Sequence, residues 1–132
     1  NERADRAGRD VGIYALFHMI AAETDEQATE QGVKIIENAD NGALNNILAS
    51  AILDTNTGGT SDQLKAGLTQ NIDDGNLAFM GIPVIHGSYE TIARKIENIK
   101  RETGIDGMLF SWPDFVPGVR DFGEKIKPLL DP

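Results

Sequence analysis

The 132-residue sequence contains no cysteine. Disulfides, thiolate nucleophiles and cysteine-ligated metal centres are therefore excluded, and a cysteine-free chain fits a cytoplasmic protein. Positive charge is also scarce. Twelve Lys and Arg stand against 21 Asp and Glu, a formal net charge of −9 with a pI near 4.5. Nucleic-acid backbones and anionic membrane surfaces repel such a chain, so neither is expected as a partner. No apolar stretch reaches the roughly 18 residues that a bilayer span needs. Residues 1–10 hold three arginines and three acids, which is not the pattern of a signal peptide. What remains is 40% hydrophobic and 25% charged, an ordinary globular composition. The length suits one hydrophobic core and not two.

Read in order, residues 1–10 resemble the last turns of a helix, with Gly8 as its stop. The apolar run from Val11 to Ala22, interrupted by His18, carries Tyr14, Phe17 and the β-branched Val11 and Ile13. It predicts a strand covered on both faces, as in a parallel sheet. Thr24-Asp25-Glu26-Gln27 is a capping box opening a helix to about Asn38. Asn41-Gly42 marks a turn, and Leu44, Ile47, Leu48, Ala51 and Ile52 follow at one-sided helical spacing, the best amphipathic pattern in the chain.

Residues 54–76 are rich in Asn, Thr, Gly and Asp with little periodicity, and predict a long loop or insertion, either a mobile lid or a plain one. Leu77–Ile85 is apolar, but Gly81 and Pro83 argue for an extended segment that is not a central strand. A helix from Gly87-Ser88 then buries Ile92, Ile96 and Ile99 and stops at Gly104. Ile105–Ser111 is a short buried strand. Asp114 heads a last helix with Val119, Phe122, Ile126 and Leu129-Leu130 on one side.

Alternating strands and helices mean parallel strands with crossover helices. Two such strands cannot close a sheet covered on both faces, and a complete (β/α)8 barrel takes roughly 250 residues. The expected fold class is therefore α/β, the C-terminal portion of a (β/α)8 TIM barrel, with strands seven and eight and their helices. A first residue of Asn1 and not Met fits a segment of a longer chain.

The C-terminal half carries an ordered set of short motifs: Gly87-Ser88-Tyr89-Glu90, Gly104-Ile105-Asp106-Gly107, Ser111-Trp112-Pro113-Asp114-Phe115, Phe122-Gly123-Glu124 and Pro128-Leu129-Leu130. Upstream stand Gly8-Arg9-Asp10-Val11, Phe17-His18-Met19-Ile20, Glu23-Thr24-Asp25-Glu26 and Asp54-Thr55-Asn56-Thr57-Gly58. In this order they resemble the ending of the luciferase-like FMN-dependent monooxygenases, nearest the branch of the pyrimidine and dimethylsulfone monooxygenases. The resemblance covers essentially the whole chain. It implies a homo-oligomeric enzyme in which reduced FMN, supplied by a separate flavin reductase, and O₂ oxygenate a small organic substrate. It also implies that the remainder of the barrel, which holds most flavin contacts, is this chain's partner. A rival reading is a non-catalytic flavin-binding or assembly subunit, or a truncated relic, of the same fold.

The resemblance makes His18 the candidate catalytic residue, since the related alkanesulfonate monooxygenases place a histidine at the matching position. They also carry an arginine two residues earlier, where this chain has Leu16, so a sulfonate is not the expected substrate. The plainer alternative is a hydrogen-bonded core histidine. Trp112 and its neighbour Ser111 are the candidate cofactor-binding residues, at a position that borders the flavin pocket in relatives; rim packing explains the tryptophan equally. His86-Gly87-Ser88 suits either an anion site or a simple helix cap. Asp54, Asp73 and Asp74 match no metal-loop spacing, so no metal is expected.

Overall fold

The structure, a computed structural model, describes residues 6–53, 77–79 and 82–131. The predicted insertion at 54–76, with Asp54, Asp73 and Asp74, lies outside them. The elements run β1 (Tyr14–Ala22), α1 (Asp25–Glu37), α2 (Asn41–Ile52), β2 (Leu77–Phe79), β3 (Ile82–Ser88), α3 (Tyr89–Thr103), β4 (Gly107–Ser111) and α4 (Phe115–Asp121). A π-helical turn (Phe122–Ile126) and a 3₁₀ turn (Lys127–Leu129) complete the chain's described end. Gly8, at φ 61°, ends the helical turn at Arg6, as its place in the sequence suggests.

One mixed sheet has the order β2-β3-β1-β4. β1 is central and parallel to both neighbours: His18 to Ala22 pair with Val84 to Ser88, and Tyr14 to His18 pair with Gly107 to Ser111. β2 adds antiparallel to β3. The expected neighbours β1 and β4 are thus adjacent and parallel. β3 differs from expectation, being a full interior strand. Pro83 is tolerated because pairing with β1 begins only at Val84, so no ladder hydrogen bond to β1 calls on the amide that proline lacks.

Strand alternation then sorts the side chains. Met19 and Ile85 face α3, where Ile92, Ala93 and Ile96, joined by Ile126 of the π-helical turn, complete the core; Met19, Ile92 and Ile126 are 0% exposed. Phe17, Met108 and Phe110 pack against that cluster. On the opposite face, α1 lies along β1 and β3, and its Thr29 hydroxyl approaches His86 Nδ1 at 3.4 Å. The half of that face built by β1 and β4 is open: Tyr14 is 63%, Leu16 44% and Leu109 57% exposed.

The helix boundaries follow their caps. Thr24 Oγ1 accepts from Gln27 N at 3.3 Å, Ser88 Oγ accepts from Thr91 N at 3.2 Å, and Gly104 ends α3 in the left-handed region at φ 63°. The Gly104-Ile105-Asp106-Gly107 motif has a local purpose. Asp106 Oδ2 accepts from Ile13 N at 2.7 Å while Asp106 N donates to Ile13 O at 2.9 Å, pinning the start of β1 to the start of β4. β1 begins at Tyr14, one residue after this clamp, and not at Val11.

Two expectations change here. α2 forms, but its stripe is not the strongest in the molecule, since Ile47 stays 41% exposed and Leu44 is only half-buried. The one-sided helix of the core is α3. Asp114 occupies the N-cap position of α4 without a side-chain hydrogen bond, and the last helix breaks into α, π and 3₁₀ turns around Pro128.

Candidate functional site

The register His18↔Ser111 places both side chains on the open face, one strand apart. Ser111 Oγ and His18 Nδ1 are hydrogen-bonded. Phe79 of β2 reaches the same spot, its ring 5.5 Å from the imidazole at 42°. His18 is half-buried, and desolvation holds its pKa below the ordinary 6.5, favouring the neutral ring. The surroundings are Leu16 and Leu109 on the same face. A polar pair among apolar side chains can meet the hydrogen-bonding edge of a flat organic ring.

Trp112 goes elsewhere. One residue past Ser111, it packs with Phe110, Phe115 and Phe122, at centroid distances of 6.3, 5.7 and 6.2 Å. Its ring also lies on Gly118, where an added Cβ would come within 2.3 Å of the indole. Its Nε1 is buried without a hydrogen-bond partner among the described residues. The structure therefore brings His18 and Ser111 together and sets Trp112 in the aromatic cluster at the core side.

The start of α3 is already supplied with an anion from within. Asp25 Oδ1 accepts from Ser88 N at 2.6 Å, and Asp25 Oδ2 accepts from Thr91 Oγ1 at 3.1 Å. The Ser88 amide, then the Thr91 hydroxyl, lower the Asp25 pKa. Gly87, at φ 146°, leaves room for this carboxylate, since a Cβ there would sit 2.8 Å from Asp25 Oδ1. The sequence read Asp25 only as part of a capping box. Nothing in its spacing disclosed that it reaches a helix 63 residues later.

A second polar group joins three elements at the same end of the sheet. Lys125 Nζ donates to Tyr89 Oη at 2.8 Å and to Glu23 Oε1 at 3.2 Å, and lies 3.5 Å from Asp121 Oδ1. The Tyr89 hydrogen bond, then that of Glu23, raises the Lys125 pKa. Sequence reasoning missed this group and Phe79. Their residues converge only through the fold. No cluster of three or more His, Asp or Glu able to hold a metal occurs among the described residues, and no helix there is long and apolar enough to cross a membrane.

No family model matches the chain. Individual relatives do. It is 35% identical over 129 residues to the pyrimidine monooxygenase RutA of Enterobacter cloacae, covering 98% of this chain and 34% of that protein. Identity to the pyrimidine monooxygenase RutA of Acinetobacter baylyi is 37% over 129 residues, covering 96% and 33% respectively. For that of Caulobacter vibrioides it is 36% over 127 residues, covering 96% and 34%. The chain thus spans about a third of the length of the curated relatives it matches. The resemblance read from its motifs holds: over nearly its whole length the chain is similar to one part of the pyrimidine monooxygenases.

Proposed function

We propose that this chain forms strands seven and eight, with their helices, of a (β/α)8 barrel monooxygenase that uses reduced FMN and O₂ to oxygenate a small organic substrate. The observation that carries the reading is the open face of β1 and β4, which sets a hydrogen-bonded His18–Ser111 pair among exposed apolar side chains. A parallel sheet is normally covered on both faces, and the remaining staves of a barrel would cover Tyr14, Leu16 and Leu109. His18 is then the catalytic residue and Ser111 a cofactor-side contact. Trp112, packed through Phe122 and Gly118, supports the wall behind them. The full enzyme is a cytoplasmic homo-oligomer fed by a separate flavin reductase.

The residues fit the ring of such a cofactor better than its phosphate. Bound FMN would supply the oxygen chemistry, while His18 and Ser111 would orient a ring edge and Phe79 with Leu109 would exclude water. The anion position at the start of α3 is filled by Asp25, so the phosphate belongs to another part of the protein. One feature of the sheet bears on the barrel. Strand seven of a closed barrel pairs with strand six on the side where β3 pairs with β1 here.

A chimera tests the function. The matched third of the Enterobacter cloacae pyrimidine monooxygenase is replaced by this chain, and pyrimidine-dependent O₂ uptake is measured with reduced FMN. Activity that His18→Ala abolishes supports the proposal. A folded, FMN-binding chimera that turns over equally with and without His18 contradicts it.

A further inference from the structure

The side chains of His18 and Ser111 hydrogen-bond only to each other among the described residues, and this restricts how their protons are arranged. A neutral imidazole has one N–H and one bare nitrogen; a serine hydroxyl has one proton and lone pairs. If His18 Nδ1 carried the proton and donated to Ser111 Oγ, two groups would be left unmatched: the serine O–H and the bare Nε2. If Ser111 donates to a bare Nδ1, one group alone remains, the Nε2–H. His18 is partly withdrawn from water beside Phe79, and polar groups so placed cost free energy when unmatched, so the second arrangement is favoured.

We propose that Ser111 is a positioning residue that locks His18 as the Nε2–H tautomer, so that His18 meets its ligand as a hydrogen-bond donor and not as a general base. The ligand atom it takes is an acceptor, a carbonyl oxygen or a bare ring nitrogen. The inference rests on reading the His18 side of the sheet as the functional one, and it specifies the role of that histidine. Its neutrality agrees with the direction of its pKa, which burial alone depresses, with no charged neighbour contributing.

The test is ¹⁵N-detected histidine NMR on the 132-residue chain above pH 8. Only His18 and His86 contribute signals, and His86→Gln assigns them. In the unsubstituted chain His18 shows the Nε2–H form alone, with Nδ1 at the shift of a hydrogen-bonded acceptor nitrogen. Ser111→Thr keeps the hydroxyl and preserves that pattern. Ser111→Val has the shape of threonine without the hydroxyl, and there the two tautomers mix. An Nδ1–H form in the unsubstituted chain overturns the proposal, as does an unchanged single tautomer in Ser111→Val. Because the readout needs no flavin, a chain that binds no FMN would count against the proposed function while leaving this result intact.

Discussion

The two faces of the sheet are built from the same strands yet do opposite things. On one, Met19 and Ile85 of the sheet are sealed against Ile92 of α3 and Ile126 of the π-helical turn, with none more than 4% exposed. On the other, Tyr14, Leu16 and Leu109 stay between 44% and 63% exposed around a polar pair. Period-2 alternation puts Met19 and His18 on opposite sides although they are neighbours in sequence. The sealed face holds this part of the chain together. The open face carries the His18–Ser111 pair and leaves Tyr14, Leu16 and Leu109 uncovered.

The largest effect should come from the sealed face. Ile92→Ala removes a fully buried side chain whose surroundings cannot collapse completely, and should cost about 3 kcal/mol in urea unfolding. A loss under about 1 kcal/mol would mean that the face is not the core. Gly118→Ala comes next, because its Cβ would enter the Trp112 indole, and overpacking of that kind costs about 2 kcal/mol. On the open face, Leu109→Ser should change the chain's own stability by no more than about 0.5 kcal/mol, yet impair the chimera, where that face is covered. Equal damage in both settings would erase the distinction between the faces.

Smaller effects are read through pH. The Asp25 pKa is lowered in the fold from its ordinary 3.8. Its contribution to stability is therefore present above that value and is lost as pH falls through the folded value. Asp25→Asn should flatten the acid limb of a stability–pH curve. His18 behaves differently. Its folded pKa lies below 6.5, so the unfolded chain takes up the proton first, and stability declines as pH falls from 6.5 towards the folded value. His18→Gln should remove that slope and leave the curve unchanged above pH 7. A slope of the opposite sign would mean that a negative group faces the imidazole.

Much of this was legible in the sequence where the signal is local. The Thr24 cap, the Gly104 stop and the stripe Ile92, Ile96 and Ile99 are each written within a few residues, and the two helices they mark formed. β3 was hidden because Pro83 argues against a central strand, and only the register shows that pairing with β1 starts one residue later. For α2, periodicity names the side that seeks burial but not what covers it, and Ile47 remains in the open. The site divides the same way. His18 and Ser111 stood out by their motifs, and their contact follows from a register that no spacing reveals. Phe79, Asp25 and Lys125 reach their partners across 61, 63 and 36 residues (79 − 18, 88 − 25, 125 − 89), a distance over which sequence pattern carries no signal.

The barrel assignment turns on the edge of β1 that β3 occupies here, and a cysteine-free chain allows a clean measurement of it. Ile20 and His86 are paired across that edge, so Ile20→Cys with His86→Cys reports whether the two strands are neighbours. If the account is right, the pair oxidises readily in the 132-residue chain, and in the active chimera it stays reduced because strand six lies between them. A disulfide that forms in the chimera without loss of pyrimidine-dependent O₂ uptake would contradict the barrel and the function drawn from it.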